Sequence, residues 1–284
     1  MGTSHYKPER DKVLRFYDAS EYAAHLRELP QEFRYMSRDT SFYGMQYDLA
    51  VKMLEQGDMS SVALASKFVD KMQDAQIFSI GQPQWENAIV GYHVNVAAFM
   101  AGHPKHMMRR AVSEYVSTMA PLSVYVDVTV SAFLSHQQLI ARGVAMLAFV
   151  MAMSQIRPVE LYCCGCGHYN DDARAQAVVC KVESKPLDLA RAAFMLTNPA
   201  YNRRISFSAG TALAGVPGNY SIPLAFNRLP HADLEASMRH MLSMEAHDIY
   251  LKHGHMDDSL MLSDPVKWVR NMIEKHARKS TDGE

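Results

Sequence analysis

The stretch Ser123–Arg157, SVYVDVTVSAFLSHQQLIARGVAMLAFVMAMSQIR, decides the fold class of this chain. It overlaps Leu122–Val130, a run rich in β-branched residues of the kind found in strands that are buried on both faces. Gln137–Gln155 then repeats apolar residues at helical spacing, which predicts a long helix with a wide apolar stripe. Val159–Cys164 follows Pro158 and predicts the next strand. Strand, helix and strand within about 40 residues predict a parallel βαβ unit.

The rest of the chain extends this pattern. Ala175–Val182 and Ile249–Lys252 predict further strands, and Arg204–Ala209 is a candidate for another. The N-terminal part carries amphipathic helical patterns that begin at capping residues. We therefore expect an α/β fold, with a mostly parallel sheet flanked by helices and a helical N-terminal region. Because no Gly/Ser/Pro-rich linker intervenes, the N-terminal region 1–110 should pack on the α/β domain 111–284.

The composition restricts where the protein works and what it contacts. Hydrophobic residues make up 48% and charged residues 21% of the 284, as in ordinary globular proteins. The formal net charge of -1 gives no overall attraction to nucleic acid or acidic membranes, so such binding needs a local patch. The longest apolar run, near Val144–Met153, is far shorter than the roughly 20 residues that span a bilayer. We expect a cytoplasmic protein without membrane contact.

The four cysteines suit a reducing compartment. Cys163, Cys164 and Cys166 fall within four residues, with His168 close behind and Cys180 further along the chain. Zinc requires four tetrahedral ligands, normally from two well-separated pairs, and this single cluster has no partner pair. Buried, reduced thiols at the end of a strand are therefore the favoured interpretation, and zinc is the alternative.

Polar side chains alternate with valines at the end of the first predicted sheet strand. Asp127, Thr129 and Ser131 would lie at the carboxyl end of a parallel strand, where α/β sheets bind ligands. Oxygen ligands of this kind suit a hard cation such as Mg²⁺, the one cofactor that we consider. The alternative is that this alternation is simply that of a strand end.

The same stretch resembles the von Willebrand A family. That family opens its first strand with an Asp-x-Ser-x-Ser metal-site motif and continues with a long helix that has a Gly-Ala-like entry. The matching residues are Val124–Ser131, Arg142–Ala145 and Val159–Cys164. The resemblance implies a vWA-like, Rossmann-type fold in which Asp127, Thr129 and Ser131 are the first three metal-site positions. The family adds a Thr and an Asp from later loops, and the candidates by order alone are Thr197, Thr211, Asp257 and Asp258.

A second resemblance covers residues 40–165. A Trp, a Gly and a Gly-x-Pro-x-x-Met element precede a vWA-like sheet, as in a phage-encoded family of uncharacterised proteins. The elements in this chain are Trp85–Gly91, Val94–Val96, Ala101–Pro104 and Met107. One branch that this architecture suggests is the single-stranded-DNA-binding accessory of transcription in podophages with a virion RNA polymerase. The resemblance thus implies single-stranded DNA and a phage RNA polymerase as partners, in the cytoplasm of an infected host cell.

Basic residues stand beside aromatic residues in several segments. A groove for a single strand needs cations that follow the phosphates and aromatic rings that stack on the bases. The candidates for nucleic-acid binding are Lys105, Arg109, Arg110, Tyr201, Arg203, Arg204, Arg34 and Tyr35. The alternative is that such runs form only the solvated faces of helices.

No motif in the sequence supports an enzyme: there is no phosphate loop, no dinucleotide fingerprint and no HExxH. We therefore predict a non-enzymatic phage accessory protein that binds single-stranded DNA in transcription or replication. A homo-oligomer could gather modest basic patches into one groove. The alternative function is a vWA-like protein-protein interaction module, with or without a metal at Asp127.

Overall fold

The computed structural model describes residues 12–60, 62–63, 66–67, 85–89, 93–94, 96–110, 121–130, 134–154, 157–169, 174–183, 187–215, 231–252 and 259–277. The strands are β1 (Lys12–Phe16), β2 (Trp85–Ala88), β3 (His93–Val94), β4 (Met107–Arg110), β5 (Leu122–Asp127), β6 (Val159–Tyr169), β7 (Arg174–Val182) and β8 (Ile249–Leu251). The helices are α1 (Ala19–Glu28), α2 (Thr40–Tyr43), α3 (Tyr47–Gln56), α4 (Val96–Met100), α5 (His136–Met153), α6 (Leu189–Thr197), α7 (Phe207–Ala214), α8 (His231–Met241), α9 (Ser259–Ser263) and α10 (Pro265–Ala277). A 3₁₀ turn occupies Gln31–Phe33, and a π-helical turn occupies Tyr201–Ser206.

Five of these strands form the main sheet, in the order β1-β7-β6-β5-β8. The pairs β1–β7, β5–β6 and β5–β8 are parallel, and β6–β7 is antiparallel. Helices pack against the sheet, so the predicted α/β class with a mostly parallel sheet is confirmed. The predicted βαβ unit is β5-α5-β6, with register running from Leu122 opposite Val159 to Asp127 opposite Cys164.

The third predicted strand exists but runs in reverse. β7 follows β6 through the short connection between Tyr169 and Arg174, and it pairs antiparallel with β6. A parallel partner would need a crossover of a dozen or more residues. Carboxyl ends of β5, β6 and β8 therefore meet at one rim of the sheet, whereas β1 and β7 end at the opposite rim.

Helix α5 begins where its sequence specifies. Ser135 caps the helix in a reciprocal capping box with Gln138, and the helix ends at Met153. Gly143 permits close packing, but against α6 rather than against the sheet. A β-carbon at this position would lie 2.1 Å from the carbonyl oxygen of Leu196. The close approach at Gly143 is thus a helix–helix contact.

The N-terminal region shares the core of the sheet. Tyr22 and Leu26 of α1 and Leu54 of α3 are fully buried in the same apolar cluster as Val124 and Leu161 of the sheet. The region is not wholly helical, because β1 forms an edge of the main sheet. The pattern KVLRF, with cations at both ends of a short apolar run, gave no strand prediction.

Residues 85–110 contain a second, smaller sheet in the order β2-β4-β3. Both pairings are antiparallel, with Ala88 opposite Met107 and Val94 also opposite Met107. Helix α4 lies between β3 and β4 in the chain. Within the described part of the chain, no helix is both long and apolar enough to cross a membrane.

Candidate functional site

A buried polar centre lies at the carboxyl end of β5. The carboxylate of Asp127 is fully buried, and its Oδ1 accepts a hydrogen bond from Thr129 N at 2.9 Å. Its Oδ2 accepts a hydrogen bond from the Tyr250 hydroxyl at 3.0 Å. The Thr129 hydroxyl donates to Cys166 O at 2.9 Å and accepts from Cys166 N at 2.8 Å. These bonds join β5 to both of its neighbours just beyond the regular ladder.

Two further buried side chains complete this polar centre. Arg142 of α5 donates from Nη2 to Lys252 O at 2.5 Å and to Asp127 O at 3.4 Å. Asn202, on the π-helical turn, donates from Nδ2 to Val128 O. These two side chains donate to buried carbonyls at the ends of β5 and β8, which would otherwise have no hydrogen-bond donor.

Two thiols and a phenol lie around Asp127, and they keep their protons. Burial, followed by the charge of Asp127, raises the pKa of the Cys164 and Cys166 thiols well above their ordinary value. The same causes, in the same order, raise the pKa of Tyr250. A metal is bound by thiolate and not by thiol, so this environment opposes ligation by either cysteine.

The described residues do not fit the predicted Mg²⁺ site. Both Asp127 oxygens and the Thr129 hydroxyl are committed to protein hydrogen bonds. Thr197 and Thr211 donate their hydroxyls to carbonyls of their own helices, so both hydroxyl protons are already engaged. Among the residues described, no three His, Cys, Asp or Glu side chains are placed to hold a metal ion. The predicted positions Ser131, Asp257 and Asp258 lie outside the described residues.

The cysteines are buried, as the favoured interpretation expects, but they lie within strands rather than at a strand end. Cys163, Cys164, Cys166 and Cys180 are all buried free thiols on β6 and β7. Burial is the largest cause that raises the pKa of each of the four. They contribute to the two apolar clusters on the opposite faces of the sheet.

Four of the residues predicted to bind nucleic acid are instead part of the interior. Tyr201, Arg203, Arg204 and Tyr35 are 1%, 3%, 0% and 2% exposed. Residues so enclosed cannot reach phosphates or stack on bases, so this part of the prediction is wrong. Arg204–Ala209 is also helical, in the π-helical turn and α7, and not the candidate strand.

The two buried arginines hold a loop onto the core. Arg204 donates from Nη2 to Ser37 O at 2.8 Å, and it also donates to Tyr35 O and Met45 O. Arg203 donates to Phe42 O at 3.0 Å and to Leu134 O at 2.8 Å. The guanidinium carbon of Arg203 lies 4.1 Å from the centre of the Phe42 ring. The guanidinium carbon of Arg204 lies 4.8 Å from the centre of the Tyr43 ring. Burial lowers the pKa of both side chains.

Arg34 is a partial exception to this burial. Its side chain is half-buried, and it donates from Nε to Leu29 O at 2.8 Å and from Nη2 to Arg27 O at 2.6 Å. The guanidinium lies 5.9 Å from the centre of the Tyr47 ring. These two hydrogen bonds anchor the turn after α1.

The remaining candidates lie on the smaller sheet. Lys105 is exposed, and Arg109 and Arg110 stand on β4 opposite Glu86 and Trp85. Phe99, which the sequence did not single out, is 56% exposed, with its ring 5.3 Å from that of His106. The end of the β2–β4 ladder brings the exposed Ile89 next to His106. The small-sheet patch is defined as Ile89, Phe99, Met100, His103, Lys105 and His106.

Comparison with known families identifies the chain. A family model described as a domain of unknown function, DUF7192, matches residues 4–277. The chain belongs to the DUF7192 family. Comparison with curated proteins gives no match, and neither does comparison with solved structures.

The family match includes both surfaces of interest. Residues 4–277 contain the polar centre around Asp127 and the small-sheet patch around Phe99. Apolar residues such as Phe99 and Met100 fall in a short segment before a Gly-containing turn, where helical periodicity cannot assign a buried face. Their exposure is therefore the informative signal, and only the structure supplies it.

Proposed function

We propose that this protein is a non-enzymatic binding protein that holds single-stranded DNA on the small-sheet patch. The observation that carries the proposal is the exposed ring of Phe99, packed against His106 beside the exposed His103 and Lys105. Aromatic rings stack on bases of any sequence, and nearby cations pair with phosphates. The resemblance noted above extends this proposal to phage transcription or replication, with a phage RNA polymerase as partner.

The segment that carries the patch is fixed by its own side chains. Lys105 N donates to Nδ1 of His103 at 3.1 Å, and Nδ1 of His106 lies 3.0 Å from His103 O. A turn that is already ordered loses less conformational entropy when it binds. Since the net charge of the chain is -1, attraction to a polyanion depends on local cations. Arg109 and Arg110 follow on β4.

The test is fluorescence anisotropy of a labelled oligo(dT) at low salt. Phe99→Ala should weaken binding by about 5-fold to 150-fold, the range for loss of one stacked base. Lys105→Gln should weaken binding less and reduce the salt slope by about 1. Leu49→Ala and Lys52→Gln are matched controls, since both residues are exposed on α3. Absence of binding by the wild type, or equal effects of test and control variants, would refute the proposal.

A second candidate function is a vWA-like protein-interaction module at the carboxyl rim of β5. The observation in its favour is that Asp127 and Thr129 lie at the strand end where the resemblance places a ligand site. Because the described residues do not fit a metal, capture of a partner should survive EDTA. Asp127 is itself buried, so it would support this rim from beneath rather than contact the partner, and Asp127→Asn should reduce capture in a variant that circular dichroism shows to be folded. Equal capture by both forms would refute this candidate.

A further inference from the structure

The turn that follows α4 fixes the direction in which the chain enters the histidines of the small-sheet patch. Gly102 is in the left-handed region with a φ of 67°. Gly102 N donates to Phe99 O at 3.0 Å, and His103 N donates to Ala98 O at 2.9 Å. This pair of bonds is the Schellman motif that ends a helix. His103 is therefore held directly after the helical turn that carries the exposed ring of Phe99.

The two imidazoles have opposite hydrogen-bonding roles. Nδ1 of His103 accepts a hydrogen bond from Lys105 N at 3.1 Å, so the neutral ring carries its proton on Nε2. Nδ1 of His106 lies 3.0 Å from His103 O. Because a carbonyl oxygen only accepts, His106 donates from Nδ1, and Nε2 is the nitrogen without a proton in its neutral ring.

A second proton therefore has a different consequence in each ring. On His103 it would lie between Nδ1 and the amide of Lys105, where two N–H groups would face each other and the turn would lose a bond. On His106 it would bind at Nε2, and the bond to His103 O would be kept. Histidine is the side chain that gains charge as the pH falls through neutrality. The charge that this turn can gain without losing a hydrogen bond is thus that of His106.

His106 contacts the ring on which the proposed function stacks a base. The centres of the Phe99 and His106 rings lie 5.3 Å apart, with their planes at 68°. His106 is half-buried, and Phe99 is exposed. Sites for single strands combine a stacking ring with cations that follow the backbone. Protonation of His106 would supply such a cation directly beside the ring.

The described surroundings of His106 leave a charge on it available to a phosphate. α4 presents Phe99 and the end of β2 presents Ile89, and both side chains are uncharged. The acidic residue of the small sheet is Glu86, which stands opposite Arg109, further along the β2–β4 ladder. The other titratable or charged residues described in this sheet and its turn are all basic: His93, His103, Lys105, Arg109 and Arg110.

We infer that binding of single-stranded DNA to the small-sheet patch is linked to protonation of His106, whereas His103 stays neutral and fixes the turn. The inference rests on the proposed function, because it assigns a regulation to that same site. A polyanion binds the charged form of His106 more tightly than the neutral form. Affinity therefore increases as the pH falls, and binding is accompanied by proton uptake.

The experiment measures the anisotropy of labelled oligo(dT) with the full chain at pH 8 and at pH 6. Neither thymine nor the phosphodiester titrates in this range, so a difference reports on the protein. The wild type should bind about twofold to fivefold more tightly at pH 6, which is the gain from one exposed ion pair. The salt slope should steepen by up to about 1 at pH 6, because a further phosphate is neutralised.

Two matched substitutions distinguish the histidines. His106→Asn keeps a donor for His103 O but cannot be charged, so the ratio of the affinities at the two pH values should fall to about 1. His103→Asn keeps an acceptor for Lys105 N, as in an Asx turn, and should retain the ratio whatever its effect on the affinity itself. His247→Asn, at an exposed position before β8, is the control for histidines elsewhere and should also retain the ratio.

NMR of the imidazole nitrogens tests the two roles without DNA. Long-range ¹H–¹⁵N spectra at pH 8 should show the Nδ1–H tautomer for His106 and the Nε2–H tautomer for His103. On acidification His106 should gain its proton at Nε2 before His103 becomes charged. The opposite tautomers, or charging of His103 first, would overturn the inference.

The outcomes separate this inference from the proposed function. If Phe99→Ala weakens binding but the wild type binds equally at both pH values, the patch binds DNA and the proton linkage is refuted. The linkage is also refuted if His106→Asn retains the pH ratio. If the wild type binds at neither pH, the proposed function and the inference are both refuted.

Discussion

Tyr250 donates its hydroxyl to Oδ2 of Asp127 across 3.0 Å, and so ties the edge strand β8 to the end of β5. The acceptor carboxylate is fully buried. A buried charge is expensive unless its oxygens are hydrogen-bonded, so this phenol belongs to the structural support of the sheet.

Tyr250→Phe tests that relationship directly. The substitution keeps the ring and removes the hydroxyl, which leaves one carboxylate oxygen without this donor. We expect the free energy of unfolding to fall by about 1–3 kcal/mol, as measured by urea denaturation. Tyr17→Phe is the matched control, since Tyr17 is exposed and should lose almost nothing. A similar loss in both variants would contradict the assigned role.

Arg204→Met should destabilise the protein without altering the intrinsic affinity for DNA. Its guanidinium donates to three carbonyls, those of Tyr35, Ser37 and Met45, and each would lose its donor. We expect a loss of about 2 kcal/mol or more in urea denaturation. Arg270→Met, at an exposed position of α10, should be nearly neutral. A stable Arg204→Met variant with weakened DNA binding would restore Arg204 as a nucleic-acid contact.

Gly143→Ala should loosen the packing of α5 against α6. The new β-carbon would lie 2.1 Å from Leu196 O and 2.7 Å from Thr197 Cα, and neither backbone atom can move alone. Overpacking typically costs about 1–3 kcal/mol, against a smaller gain in helix propensity. Thermal denaturation should show a lower midpoint, whereas Gln137→Ala, exposed on the same helix, should leave the midpoint nearly unchanged.

The buried thiols predict a loss of stability at alkaline pH. Burial raises the pKa of all four cysteines, so the folded state keeps its protons when the unfolded state has lost them. Their contribution is complete below the unfolded pKa of about 8.5 and declines as pH rises above it. Urea midpoints at pH 7.5 and 9.5 should differ in that direction. Replacing Cys163 and Cys180 by Ala should make the decline shallower.

The same burial predicts slow reaction with a thiol reagent. In native protein at neutral pH, few thiolates are present and the sulfurs are enclosed. All four thiols should react rapidly only after denaturation, as followed by absorbance with a chromogenic disulfide. Rapid reaction of one thiol in the native protein would show that β6 or β7 opens locally at that cysteine.

Local patterns predicted the centre of the fold well. The apolar run from Leu122, the helical spacing after Gln137 and the stop at Pro158 each act through neighbouring residues, so the β5-α5-β6 unit could be predicted from them. The reversal of β7 depends on a connection length that the pattern left open. β1 was missed because its partner is β7, far along the chain, and five residues carry little periodicity.

The candidate site was predicted less well, because sequence does not tell a buried cation from an exposed one. Arg203 and Arg204 lie close to Tyr201 in the sequence, as the residues of a nucleic-acid site would. In the structure they donate hydrogen bonds to carbonyls of a loop about 160 residues away. Lys105 is exposed, and its contact with nucleic acid stays a prediction. Phe99 was overlooked, since an aromatic residue is by default assigned to the core.

The reversed direction of β7 also affects how this architecture can vary. Segments inserted after β5, β6 or β8 would extend the rim that holds Asp127, whereas segments inserted after β1 or β7 would extend the rim next to Tyr17. Insertions are tolerated best in surface connections. Related chains could therefore elaborate one rim while the other stays intact, and the two rims could diverge separately in evolution.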